Sequence, residues 1–233
     1  MIEYLKDRVQ SWYAAEREKL RGMPLKKKIG YLLDYYKGWF IGLLILCLIG
    51  FYLGDAYLQS KKEIVLQGFF TNDDWNLFSA EEVTEEYSAT LQLQRHQRVV
   101  FDDGLYIDLG GQASEYTAAS NGKLLAYVTT KELDLVITSR EVLEHFTGQL
   151  PMRDLKQILP VDLFERLKDQ MLTTADENGQ IIYYALDMTQ SRFVQTSGYA
   201  EEDGVKNNYF LFAPKNSLRA DQTADFIVYC FSK

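Results

Sequence analysis

The sequence predicts an α/β domain carried on a single transmembrane helix, and three observations lead there. The first is an uncharged stretch, Gly38–Gly54 (GWFIGLLILCLIGFYLG), rich in Leu and Ile. The second is an alternation of short apolar runs with segments of helical periodicity across residues 59–233. The third is a sharp change in charge at the apolar stretch. Residues 1–37 carry nine basic and five acidic side chains, whereas residues 59–233 carry 16 basic and 27 acidic ones.

Before the apolar stretch, Ile2, Leu5, Val9, Trp12, Tyr13 and Leu20 recur at spacings of three or four, which predicts a helix over residues 2–21. Pro24 opens a second helical segment that runs into the apolar stretch. Its Lys26-Lys27-Lys28 cluster sits where anionic headgroups would attract it. The first helix therefore has two readings, a docking element for a cytoplasmic partner or a helix lying on the lipid surface.

Residues 38–58 form the expected span, long enough as a helix to cross ~30 Å of hydrocarbon. Aromatic residues stand at both ends: Tyr35, Tyr36 and Trp39 at one, Phe51, Tyr52 and Tyr57 at the other. No A-x-A-like cleavage site follows, so a retained signal anchor is the reading. Nine Lys and Arg residues precede the span, while Lys61 and Lys62 alone follow closely. That bias places residues 1–37 in the cytoplasm and 59–233 outside.

Beyond the span, Ile64–Phe70 (IVLQGFF) reads as a strand ending in the turn residues Thr71–Asp74. Ser79 with Glu82 has the spacing of a capping box and starts a helix to about Leu93. Arg98–Asp108 reads as strand, with Asp102-Asp103-Gly104 as a hairpin signature that could break it. Ser114–Lys131 is helical, with Asn121-Gly122 as a point of interruption. Leu133–Ser139 (LDLVITS) is a buried strand, followed by a helix over Arg140–Phe146 that stops at Gly148. Asp162–Met171 reads as a helix after Pro160. Gln180–Met188 is a strand entered through the turn Asp176–Gly179, and Tyr209–Ala213 is another. A closing helix, Ala220–Phe231, has Ala224, Ile227, Val228 and Phe231 on its apolar face. Strands separated by helices give a compact domain with a largely parallel or mixed sheet.

Composition removes several functions. A net charge of −11 over residues 59–233 disfavours nucleic acid, whose phosphates need a basic face. Cys47 lies in the span and Cys230 near the end, so the outer domain can form no internal disulfide. With no N-x-S/T sequon, this fits a bacterial surface better than an animal extracellular space.

Several stretches also resemble extracytoplasmic solute-binding proteins of ABC importers. Ala126–Thr138 (AYVTTKELDLVIT) is similar to their helix–strand passage towards the ligand cleft. Leu150–Pro160, Ile181–Met188 and Tyr209–Phe231 are similar to later segments of that family. The resemblance implies one lobe of a type II periplasmic binding protein. Only Thr189–Asn208 stands where the family inserts most of its second lobe, so the ligand-burying clamshell is expected to be missing. The segment YLLDYYKGWFIG also resembles uncharacterised membrane proteins of Gram-positive gut bacteria that hold a small domain outside the cell.

No P-loop, HExxH, CxxC pair, GxSxG or EF-hand pattern occurs. His96 and His145 are the only histidines, and His145, following Glu141 and Glu144 on a helix, reads as a solvated surface residue rather than a base. The pairs Asp73-Asp74 and Asp102-Asp103 fall far short of a six-oxygen cation site and read as turn residues. No metal and no cofactor is expected. In α/β folds ligands lie beyond the carboxyl ends of strands. That rule selects Asn72, Asp74 and Trp75 after the first strand, and Thr138 and Ser139 after the buried one. Packing by Trp75 and helix capping by Ser139 are the structural alternatives. The expected function is non-enzymatic: a membrane-anchored extracytoplasmic domain that docks a protein partner. The alternatives are a solute receptor serving an ABC transporter, and a cell-surface hydrolase.

Overall fold

A computed structural model describes residues 2–110, 114–176, 178–197 and 209–232. The chain divides into two compact units, Met1–Lys61 and Lys62–Lys233.

The first unit is two helices, α1 (Ile2–Leu20) and α2 (Leu25–Ser60). Gly22, at φ +95°, takes the left-handed conformation that glycine adopts cheaply after a helix. Pro24 has extended backbone (φ −65°, ψ 149°) and caps the start of α2. At 1.5 Å per residue α2 is ~54 Å long. Its Lys37–Ser60 portion is long and apolar enough to cross a membrane, by length and composition. That portion contains the expected span, and its large apolar side chains from Trp39 to Leu58 stay exposed. Tyr35 and Tyr36 belong to α2, but their side chains lie outside the described set.

The second unit is a six-stranded sheet with helices on both faces. Its elements in order are β1 (Glu63–Thr71), α3 (Ala80–Thr90), β2 (Gln97–Leu105), α4 (Glu115–Thr129), β3 (Leu135–Ser139) and α5 (Arg140–Phe146). They continue with α6 (Val161–Leu167), β4 (Met171–Ala175), β5 (Ile181–Asp187), α7 (Arg192–Thr196), β6 (Tyr209–Phe212) and α8 (Ala220–Cys230). The strand order is β2-β1-β3-β6-β5-β4. Parallel pairing joins β1 to β2 and β3, and antiparallel pairing joins β3–β6, β6–β5 and β5–β4. The sheet is thus mixed.

Alternation along the central strands builds two cores. Leu66, Phe70, Leu135, Ile137 and Leu211 face one side, where α3, α6 and α8 pack. Phe69, Val136, Phe210 and Phe212 face the other, against α4 and α5. Gly68 is needed where β1 lies between its neighbours. A Cβ there would sit 2.8 Å from Leu135 Cδ1 and 2.8 Å from the Phe101 ring.

Ser79 caps α3, its Oγ accepting from Glu82 N at 3.4 Å, and Ser114 caps α4 by accepting from Thr117 N at 3.2 Å. Helix α4 runs through Asn121-Gly122 without a break. At four places the structure departs from the sequence expectation. Asp102-Asp103-Gly104 makes no hairpin. β2 continues through it, and the register against β1 shifts between Phe69 and Thr71, so the extra residue forms a bulge. Lys123 pairs with the Asp102 carboxylate there, and Tyr116 donates to Gly104 O. The helix expected over Asp162–Met171 ends at Leu167, and Met171 opens β4. A further short helix, α7, lies in the Thr189–Asn208 connection, whose residues 198–208 are outside the described ones. Lastly, Val228 is 39% exposed, and Phe226 takes the core position on α8.

The β4–β5 hairpin turns on Asp176, whose Oδ1 accepts from Asn178 N at 2.9 Å and Gln180 N at 2.8 Å. Glu177 of the expected turn lies outside the described residues. These amides, Gln180 foremost, hold the Asp176 carboxyl below its ordinary range. A depressed folded-state value gives stability that is present above the unfolded value of ~3.9 and lost as pH falls through the folded one. Amide exchange in the hairpin of Asp176→Ala should therefore exceed wild type at neutral pH, and the gap should close as the solution is acidified below ~pH 4. A gap that persists in acid would remove the carboxylate from the explanation.

Candidate functional site

The carboxyl ends of β1 and β3 lie side by side, because Phe70 pairs with Ile137 in parallel register. There the side chains of Thr71 and Thr138, both fully buried, share a hydrogen bond of 2.7 Å between their hydroxyls. Ser139 pairs across the sheet with Tyr209 of β6. Burial, and next the Asp73 carboxylate, push the Tyr209 phenol well above its ordinary value.

Residues 72–79 form the loop over this edge. Asn72 and Asn76 adopt positive φ, 55° and 50°, which asparagine tolerates better than most residues. The Asn72 amide grips the backbone of Ile107 twice, donating to its O at 2.8 Å and accepting from its N at 2.9 Å. Asp73 Oδ2 accepts from Phe78 N at 2.7 Å, and Asp103 Oδ2 accepts from Ala80 N at 2.9 Å. The first aspartate of one pair and the second of the other thus hold backbone in place. Among the described residues no cluster of three His, Cys, Asp or Glu side chains could hold a metal.

The five residues selected from sequence therefore share one edge but differ in availability. Thr138 is buried and bonded to Thr71, and Asn72 is engaged with Ile107. Ser139 is half-buried at the N-cap position of α5, with no side-chain capping bond. Asp74 and Trp75 are exposed, Trp75 at 47%. Neither histidine is near this edge in the bonding pattern. His96 lies 3.9 Å from Glu63, and the exposed His145 rests edge-on against Phe146.

Two features escaped the sequence reading. One is a buried polar network around Asp134, whose carboxylate accepts from Gln67 N (2.8 Å), Ser217 Oγ (2.6 Å) and Arg219 Nε (2.7 Å). Burial raises the Asp134 carboxyl above its ordinary value, against the lowering by Ser217, Gln67 and Arg219. Its members are scattered over 150 residues of sequence, so no local spacing announces them. The other is an open groove of about 430 Å³ between α6 and α8, walled by Pro160, Leu163, Val228 and Phe231 with Asp162 and Arg166. Arg166 donates to Phe231 O at 3.1 Å across it. The outward position of Val228 was the clue, concealed because its spacing also suits a core face.

No protein-family model matches the chain, and neither a curated protein nor a solved structure is significantly similar to it.

Proposed function

We propose that this protein is a single-pass membrane anchor for an extracytoplasmic docking domain, which engages a membrane or cell-surface protein through the Trp75 turn. The observation that carries this reading is the division of labour at the strand ends. Thr71, Asn72, Asp73 and Thr138 make the bonds that brace the turn from below, and Asp74 and Trp75 present its exposed surface. A half-exposed tryptophan on a loop braced from below fits the anchor residue of a protein interface, where Trp is enriched. The excess of basic residues before the span supports a cytoplasmic N-terminus, with the domain outside. A reduced solute-binding lobe is compatible with the mixed sheet, and a receptor for an ABC importer is the second reading.

Photocrosslinking in intact cells separates the two. A crosslinker at position 75 should capture a membrane protein, and Asp74→Ala should weaken the capture. The same crosslinker at Ile181 is the control. That residue is 72% exposed at the start of β5, the end of the sheet opposite Trp75. Equal capture from both positions would discard the Trp75 surface. Micromolar binding of an amino acid, sugar or short peptide to the purified chain would favour the receptor.

A further inference from the structure

We infer that α1 is a surface-seeking helix that docks on anionic lipid headgroups of the same bilayer that α2 enters. The inference goes beyond the docking function of the outer domain and rests on how α1 distributes its charges. Trp12 and Tyr13 are 54% and 65% exposed, large apolar surface for a helix in water. At 3.6 residues per turn, Leu20 falls on the same side as Tyr13, two turns on. Lys6 and Arg17 flank that side next to Tyr13, and Arg8 flanks it next to Trp12. Asp7, Ser11 and Glu18 occupy the opposite side. Glu16 is the one acidic position that spacing places among the apolar ones.

Basic residues at the border and acidic ones opposite are the arrangement a headgroup layer selects. Long cationic side chains reach up to phosphate while aromatic rings enter the acyl boundary, and carboxylates face water. A protein groove would not need cations on both borders with anions opposite.

Two further facts name lipid as the occupant. The connection to α2 is only Arg21–Pro24, and ~18 Å of helix separates it from the Lys37–Ser60 span, so α1 stays within reach of the bilayer surface. Arg21 and Lys27, both exposed, add two cations at and just beyond that connection. Over residues 1–37 the net charge is +4, opposite to an anionic leaflet.

The test uses the full chain in lipid nanodiscs, with Trp39→Phe and Trp75→Phe leaving Trp12 as the only fluorophore of its kind. Discs are made of phosphatidylcholine alone or mixed with phosphatidylglycerol, each with brominated chains that quench tryptophan at the acyl boundary. Incorporation into the discs reports on α2 and is scored separately. Trp12 should be quenched in the anionic discs, and much less in the neutral ones or in molar salt, where charges are screened beyond ~3 Å. Each basic residue replaced by Gln should lower the docked-to-free ratio by about fivefold. The variant Lys6→Gln/Arg8→Gln/Arg17→Gln/Arg21→Gln should therefore lose the anionic-lipid dependence. Asp7→Asn/Glu18→Gln changes two charges on the opposite side and should keep it, which controls for helix damage. Quenching that is equal in neutral and anionic discs, whether high or low, overturns the inference, as does quenching in anionic discs that survives the fourfold variant.

Discussion

Asp134→Ala should destabilise the Lys62–Lys233 unit by about 3–5 kcal/mol, the cost of breaking a buried ion pair from one side. The side chain of Asp134 is fully buried, and that of Arg219 is 25% exposed. Arg219 also donates to Glu132 O at 2.6 Å and to Ile64 O at 3.3 Å. Removing the carboxylate leaves that guanidinium, the Gln67 amide and the Ser217 hydroxyl without their shared acceptor. Unfolding of the purified chain in urea, followed by near-ultraviolet circular dichroism, would measure the loss. Asp134→Ala/Arg219→Met should recover part of it, because the second change removes the stranded charge. A single-variant loss under ~1 kcal/mol would mean that water reaches the network and that the pair behaves like a surface one.

Phe226→Ala should cost a similar ~3–5 kcal/mol, by cavity formation. Its ring is fully buried and meets Tyr87 at 5.1 Å, Phe101 at 5.0 Å and Tyr229 at 6.3 Å between centroids. Phe101 in turn stacks on Phe70 of β1 at 4.9 Å, so the cavity would open between α8, α3 and the sheet. Two residues along the same helix, Val228→Ala should stay within ~0.5 kcal/mol, since its side chain faces outward. Equal losses from the two substitutions would contradict the orientation of α8.

Local signals carried most of the helices. Ser79 and Ser114 begin theirs through side-chain bonds three residues long, and the apolar stretch of α2 needs no partner to be recognised. The failures lie where distant pairing overrides local pattern. Leu163, Leu167 and Met171 follow one another every four residues, a helical rhythm, yet Met171 pairs with Leu186 in the sheet. Asp102-Asp103-Gly104 has hairpin composition, but the ladder with β1 continues across it and absorbs the extra residue. At the site, position was legible and availability was not. A rule about strand ends found Thr138 and Asn72 but could not show that Thr71 and Ile107 engage them. The Asp134 network joins β1, β3 and the approach to α8 across 155 residues between Ile64 and Arg219, beyond any sequence window.

The attachment point of the sheet unit has a mechanical consequence. Helix α2 ends at Ser60 and β1 begins at Glu63, so tension on the tether is applied at the first residue of an interior strand. β1 is hydrogen-bonded on both sides, to β2 and β3, and both neighbours run parallel to it. A pull along its axis loads two ladders in shear, with many bonds sharing the force instead of parting one by one. Attachment at the edge hairpin β4–β5 would let a strand peel away under far less force. A sheet wired in this way keeps the two ladders of β1 closed under a load that would unzip an edge strand.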